Sequence, residues 1–184
     1  MKKLIHTAIA SLLMAVMVSS CGWHLRGSGQ LASNISSVHI SGANKKSNFY
    51  RTLSRSLKAN KVVITDSHTE AEYRIVTLNQ RSERRTATVS SGARVSEYQL
   101  TELVDVVIFA ANGTQLLPRT TLRTERFYDF DENDVQSKSE EAELLKKEMI
   151  NDLAQQVVRR LNAVSRRSNP STAPEKNTGN ATEG

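Results

Sequence analysis

One cysteine, three prolines and eight glycines stand in a chain of 184 residues. A single thiol excludes an internal disulfide and any site built on several clustered cysteines. So little proline and glycine excludes collagen-like and low-complexity chains, and 38% hydrophobic with 24% charged residues excludes a wholly disordered one. The signatures of catalysis are missing too: there is no HExxH helix, no GxSxG elbow, no Walker-type phosphate loop and no dinucleotide fingerprint. His6 lies in the N-terminal apolar run, and His24, His39 and His68 have no zinc-type spacing. Asp129, Asp131, Glu132 and Asp134 form an acidic run that lacks the order and central glycine of a calcium loop, so it reads as a solvated loop ahead of a helix. No catalytic residue, no metal site and no cofactor is expected.

What is present is distributed unevenly. Lys2 and Lys3 precede a mostly apolar run over residues 4–18, followed by Ser19 and Ser20. The run is shorter than the about 20 residues needed to span a bilayer as a helix, so residues 1–20 read as a signal peptide. Val18-Ser19-Ser20-Cys21 then resembles a bacterial lipobox, and it falls on the only thiol of the chain. That resemblance implies cleavage before Cys21 and its conversion to an N-acylated, S-diacylglyceryl residue. Several acyl chains make a stable anchor where one is marginal. The next residue is Gly22, not the Asp that holds such lipoproteins in the inner membrane, so delivery to the outer membrane is expected. Removing the first twenty of 184 residues leaves 164, and removing Lys2 and Lys3 from 25 basic side chains leaves 23 against 19 acidic, a formal +4. An exported, mildly basic protein is a poor candidate for nucleic-acid binding.

Residues 21–34, with Gly22, Gly27 and Gly29, read as a lipidated tether. Val38 and Ile40 predict a short strand closed by Ser41-Gly42-Ala43-Asn44. Phe49, Tyr50, Leu53 and Leu57 predict an amphipathic helix over 47–59; a short β-branched run at 61–64 and a polar connection at 65–70 follow. Residues 71–89 and 94–110 read as long strands joined through Ser90-Ser91-Gly92-Ala93, with Tyr98, Leu100, Val104, Val106 and Ile108 on one side of the second. Asn112-Gly113 predicts another hairpin into a strand over 115–130, with Pro118 marking an edge or bulge. Ser137 and Glu140 suggest a capping box for a long helix whose apolar stripe runs from Ala142 to Val164 over about seven turns. Residues 165–184 hold no large apolar side chain and read as a disordered tail. The expected architecture is α+β, two helices packed on one face of a four-stranded, mainly antiparallel sheet, with the domain at 35–164.

Arg81, Arg84, Arg85, Arg94, Arg119, Arg123 and Arg126 fall on these strands or beside their hairpin, and the proposed pairing gathers several of them toward one end of the sheet. Planar guanidinium groups suit phosphate. Charges on exposed strands also serve simply to prevent edge-to-edge aggregation.

The run Cys21-Gly22-Trp23-His24-Leu25-Arg26-Gly27 carries a closer resemblance, supported by Glu97-Tyr98-Gln99 and Lys147-Glu148-Met149. From Cys21 to about Val164 the chain resembles the LptE (RlpB) lipopolysaccharide-assembly lipoprotein family. The resemblance implies two helices on a four-stranded sheet and a lipid-anchored outer-membrane protein on the periplasmic side. It also implies a seat inside the lumen of an LptD-type β-barrel, a role in assembling that barrel, and binding of lipopolysaccharide. The family uses basic residues near the second hairpin strand and before the last helix, which correspond by position to the region of Ser91 and to Lys138. Ser91 is not basic, and Arg94 is the nearest substitute. Arg84, Arg85, Arg94 and Lys138 are therefore the expected lipopolysaccharide contacts. The alternatives are a stand-alone envelope lipoprotein binding an anionic glycolipid or another envelope partner, and an envelope hydrolase, against which the missing catalytic constellation argues.

Overall fold

A computed structural model describes residues 35–42 and 44–168. The expected signal peptide, Cys21, the tether and residues 169–184 lie outside the described residues. The elements are β1 (Ser37–Ser41), α1 (Asn48–Ala59), β2 (Val63–Ile64), a 3-10 turn (His68–Glu70), β3 (Tyr73–Val89), β4 (Val95–Ala110), β5 (Gln115–Asp129) and α2 (Val135–Ser168).

The α+β architecture has both helices against one side of the sheet, but the sheet has five strands, in the order β2-β1-β3-β4-β5. The fifth is β2, which pairs parallel to β1 through Ser37↔Val63 and Val38↔Ile64. Two residues are too few to show a period of two, which is why this strand left no alternation to read. Lys61, with φ 64°, swings the chain back from α1 into it. β1 also runs parallel to β3, whereas the long pairings β3–β4 and β4–β5 are antiparallel.

Gly42 allows β1 to end tightly against β3. Its φ is +81°, and a Cβ there would lie 2.2 Å from the carbonyl oxygen of Thr77. Only glycine meets both conditions without moving backbone. In α1 the Ser47 hydroxyl accepts the Tyr50 N–H at 3.1 Å, and Phe49, Leu53 and Leu57 are fully buried. Burying each contributes about 1.5–3 kcal/mol.

The long helix α2 begins earlier than its expected capping box. Asp131 Oδ1 accepts the Asn133 N–H at 2.8 Å, and Lys138 N–H donates to Asp134 O at 3.1 Å. That turn feeds the chain into helix at Val135, so Ser137 lies inside the first turn instead of capping it. At the other end the helix passes Val164 and runs to Ser168. Ser165 is fully buried with its hydroxyl donating to Asn162 O at 3.0 Å, so its polar group is satisfied inside the helix. The expected boundary at 164/165 therefore falls short of the helix end.

The core has two parts. The larger lies under α1 and the C-terminal half of α2, around Val38, Ile75, Val104, Val106, Ile108, Leu153, Val157 and Leu161. A smaller cluster of Leu100, Tyr128, Ala142 and Met149, with Tyr98 and Leu145 at its margin, fills the space under the N-terminal half of α2. From Leu78 onward β3 is exposed along its whole length, since β1 pairs with it only as far as Val76. Among the described residues no helix is long and apolar enough to cross a membrane.

Candidate ligand-binding site

The pleat decides which arginines share a face, and a bulge in β3 resets the pleat. Between Leu78↔Asp105 and Arg81↔Leu103, β3 advances by one residue more than β4. Asn79, with φ 47°, occupies that irregularity. One extra residue exchanges the two faces of everything beyond it. Tyr73, Ile75 and Thr77 face the helices before the bulge; after it Ser82, Arg84 and Thr86 do, while Arg81, Glu83 and Arg85 turn to the open face.

The expected single cluster of arginines is therefore split. Arg84, opposite Leu100, and Arg126, also opposite Leu100, lie on the helix face. Arg126 reaches Asp152 of α2 at 2.6 Å. Arg81, Arg85, Arg119 and Arg123 lie on the open face. There Arg119 and Thr121 bind the buried carboxylate of Asp105 at 2.5 Å and 2.7 Å, with Asn79 donating to it at 3.1 Å. These partners, Arg119 first, hold the Asp105 carboxyl below the usual carboxylate range. Arg123 pairs with Glu125, and Arg85 lies 3.9 Å from Glu83. Most open-face arginines are thus matched by acids on neighbouring strand positions, which suits solubility better than recognition of an anion.

The helix face at the far end of the hairpin is different. The Arg84 guanidinium lies 4.8 Å from the Tyr98 ring centroid. Tyr98 stacks on Tyr128 at 5.7 Å and meets Phe130 edge-on at 5.2 Å. Phe130 N–H donates to Ser96 O at 2.9 Å, which brings the chain leaving β5 alongside β4. Arg94, just past the hairpin turn, pairs with Glu132 of the acidic loop. Lys138, in the first turn of α2, pairs with Glu141 at 2.9 Å, and that hydrogen bond raises its pKa. Asp129 and Asp134 act on Lys138 in the same direction.

Of the four expected contacts, Arg84, Arg94 and Lys138 belong to the end of the sheet formed by the hairpin, the acidic loop and the start of α2. Arg85 is separated from them by the thickness of the sheet. Arg94, Lys138 and Arg85 each have a carboxylate partner, whereas Arg84 has a ring and no carboxylate within 4.0 Å among the described residues. Sequence reasoning named Tyr98 but overlooked Tyr128 and Phe130 as its neighbours. The signal for Tyr128 was its place opposite Tyr98 once the β4–β5 register is known, and Phe130 follows one residue beyond β5. An aromatic floor with a guanidinium on it and further cations nearby can receive a phosphate and the apolar part next to it. Among the described residues no group of three or more His, Cys, Asp or Glu side chains could hold a metal ion.

A family model described as LptE, lipopolysaccharide-assembly, matches residues 35–161, from the lead-in to β1 through most of α2. A protein of Photorhabdus laumondii named LPS-assembly lipoprotein LptE is 27% identical over 159 residues, covering 85% of this chain and 86% of its own. One of the same name from Yersinia enterocolitica is 27% identical over 152 residues, covering 80% and 72%. Among solved structures, lipoprotein B of Nitrosomonas europaea superposes with a TM-score of 0.67 at 24% identity, covering 82% of this chain and 97% of that one. Rare lipoprotein B of Shewanella oneidensis does so at 0.62 and 22%, covering 75% and 100%. At these identities the structural likeness concerns the fold.

Proposed function

The chain belongs to the LptE lipopolysaccharide-assembly family, and from that premise we propose that it is an outer-membrane lipoprotein that plugs an LptD-type β-barrel, helps it to assemble and binds lipopolysaccharide on its way to the outer leaflet. The observation that carries this reading is the family match over nearly the whole of the described domain, residues 35–161. No catalytic step belongs to it.

In this reading residues 1–20 direct export, Cys21 carries the acyl chains, and residues 21–34 tether the domain on the periplasmic side. The domain itself sits in the barrel lumen. Arg84 makes the first contact with a lipopolysaccharide phosphate, because its guanidinium is held over Tyr98 and has no carboxylate to give up. Arg94 and Lys138 follow by exchanging Glu132 and Glu141 for phosphate oxygens, an exchange of like interactions that costs little at exposed positions. Tyr98, Tyr128 and Phe130 receive apolar parts of the same ligand. Arg85, on the other face beside Glu83, supplies charge toward the surroundings and no direct contact.

The test is purification of the lipidated protein from outer membranes in mild detergent. Stoichiometric recovery of a large barrel that shifts on heating, lost when Cys21→Ser prevents anchoring, is the expected result. Recovery of the protein alone would leave the stand-alone glycolipid-binding lipoprotein as the better reading.

A further inference from the structure

A second feature lies at the opposite end of the sheet, where β3 begins and β4 turns into β5. A cavity of about 310 Å³ is lined there by His68, Ala71, Arg74 and residues 110–113. Three of its lining side chains can donate hydrogen bonds, and none of them is an acid. The Arg74 guanidinium carbon lies over the Phe109 ring, 4.5 Å from its centroid, which holds it beside the cavity. Among the described residues none of its N–H groups has a protein acceptor. Asn112 is oriented by its oxygen, since Oδ1 accepts the Thr114 N–H at 3.0 Å. Among the described residues its amide NH₂ has no partner. His68 is positioned by an edge-on contact with His39, 6.4 Å between centroids, and among the described residues its ring nitrogens make no hydrogen bond.

The carboxylates closest in sequence are occupied or directed elsewhere. Asp66 is paired with Lys45 at 2.8 Å, and Glu72 accepts the Ser36 N–H at 2.9 Å. Glu70 shares the 3-10 turn with His68 but does not line the cavity. A concave site lined by oriented donors, one of them a planar guanidinium, is complementary to an oxyanion. Its size is at the lower end of ligand pockets, enough for a phosphate with one small substituent and too little for a whole lipid.

We propose that this cavity binds a phosphomonoester. Arg74 grips two oxygens through its fork, Asn112 Nδ2 and the His68 ring donate to the others, and Phe109 keeps the guanidinium in place. The site is independent of the aromatic end of the sheet, since the two ends of β4 are about 50 Å apart.

The purified full chain is titrated with inorganic phosphate and with a hexose phosphate into the millimolar range, against matched sodium chloride, while backbone amide resonances are followed. Saturable shifts in residues 68–74 and 110–114 are expected, separate from any at the Arg84 end of the sheet. Arg74→Gln should weaken binding about tenfold, the loss of one charge-assisted contact. Asn112→Asp keeps the oxygen that accepts Thr114 N–H and places a negative charge in the cavity, so it should abolish binding with the fold intact; Arg55→Gln, on the exposed side of α1, should change nothing. Shifts that chloride reproduces, or that survive both cavity substitutions, overturn the proposal. A response to phosphatidylglycerol vesicles without one to inorganic phosphate also overturns it, since that would be binding to a membrane surface.

Discussion

Arg84 and Arg85 are neighbours in sequence and lie on opposite faces of the sheet: Arg84, on the helix side, rests 4.8 Å from the ring centroid of Tyr98, and Arg85 lies on the open side beside Glu83. If the aromatic end of the sheet receives lipopolysaccharide, the two must differ in effect. Arg84→Ala should weaken binding of labelled lipopolysaccharide to the purified protein about tenfold, through loss of a charge-assisted contact held over a ring. Arg85→Ala should change it by less than about twofold, as for an exposed ion pair. Equal effects of the two would remove the face-specific reading.

Gly42→Ala should destabilise the domain by about 1–3 kcal/mol in thermal or urea unfolding, because it combines positive φ with a 2.2 Å approach to Thr77 O. Gly113→Ala is the comparison. Its φ is +84°, but nothing lies within 4 Å of the added Cβ, so only the backbone strain of about 1 kcal/mol applies. A loss at Gly42 no larger than at Gly113 would mean that β1 can shift away from β3.

Glu102 is buried on the helix face, opposite Thr124 and Ser82. Burial raises its pKa, only partly offset by a hydrogen bond from Ser82 and the charge of Lys146. The folded state therefore holds this proton at pH values where the unfolded chain has released it. Between the ordinary Glu pKa and the raised one, stability falls as pH rises. Glu102→Gln should remove that slope and be more stable than the parent at neutral pH, as followed by melting temperature across pH 4 to pH 8, a range of about four units around the carboxylate values. A parent and variant with parallel pH profiles would contradict this.

Asp105 works in the opposite sense. Its lowered pKa means that the folded state favours the carboxylate, so its contribution is present above the ordinary Asp pKa and is lost as pH falls through the lowered one. Asp105→Asn should cost about 1–3 kcal/mol at neutral pH, since Arg119 and Thr121 lose a charged acceptor. The cost should shrink in acid. A deficit that stays constant down to the acid transition would assign Asp105 a role in packing alone.

How much of this was legible in the chain follows from how local each signal is. Phe49, Leu53 and Leu57 repeat at helical spacing, and Tyr98, Leu100, Val104, Val106 and Ile108 alternate, so α1, β4 and their buried faces could be read directly. Pro118 lies where the β4–β5 register shifts between Val106 and Ile108, as expected of a residue that cannot donate to a ladder. The α+β class followed from these elements. The fifth strand did not, because Val63 and Ile64 acquire strand character only from β1 beside them.

The sequence by itself determined the elements, the apolar faces and the residue types available for an anion. Only the tertiary structure decided which of those residues share a face. The bulge around Asn79 reverses the alternation of β3, placing Arg84 on the helix side of the sheet and Arg85 on the open side, and nothing in residues 79–89 alone announces it. The physical reason is that side-chain period is a property of one strand, whereas register is a property of two. Arg84 meets Tyr98 only because Leu78 and Arg81 are held against Asp105 and Leu103 more than twenty residues along the chain.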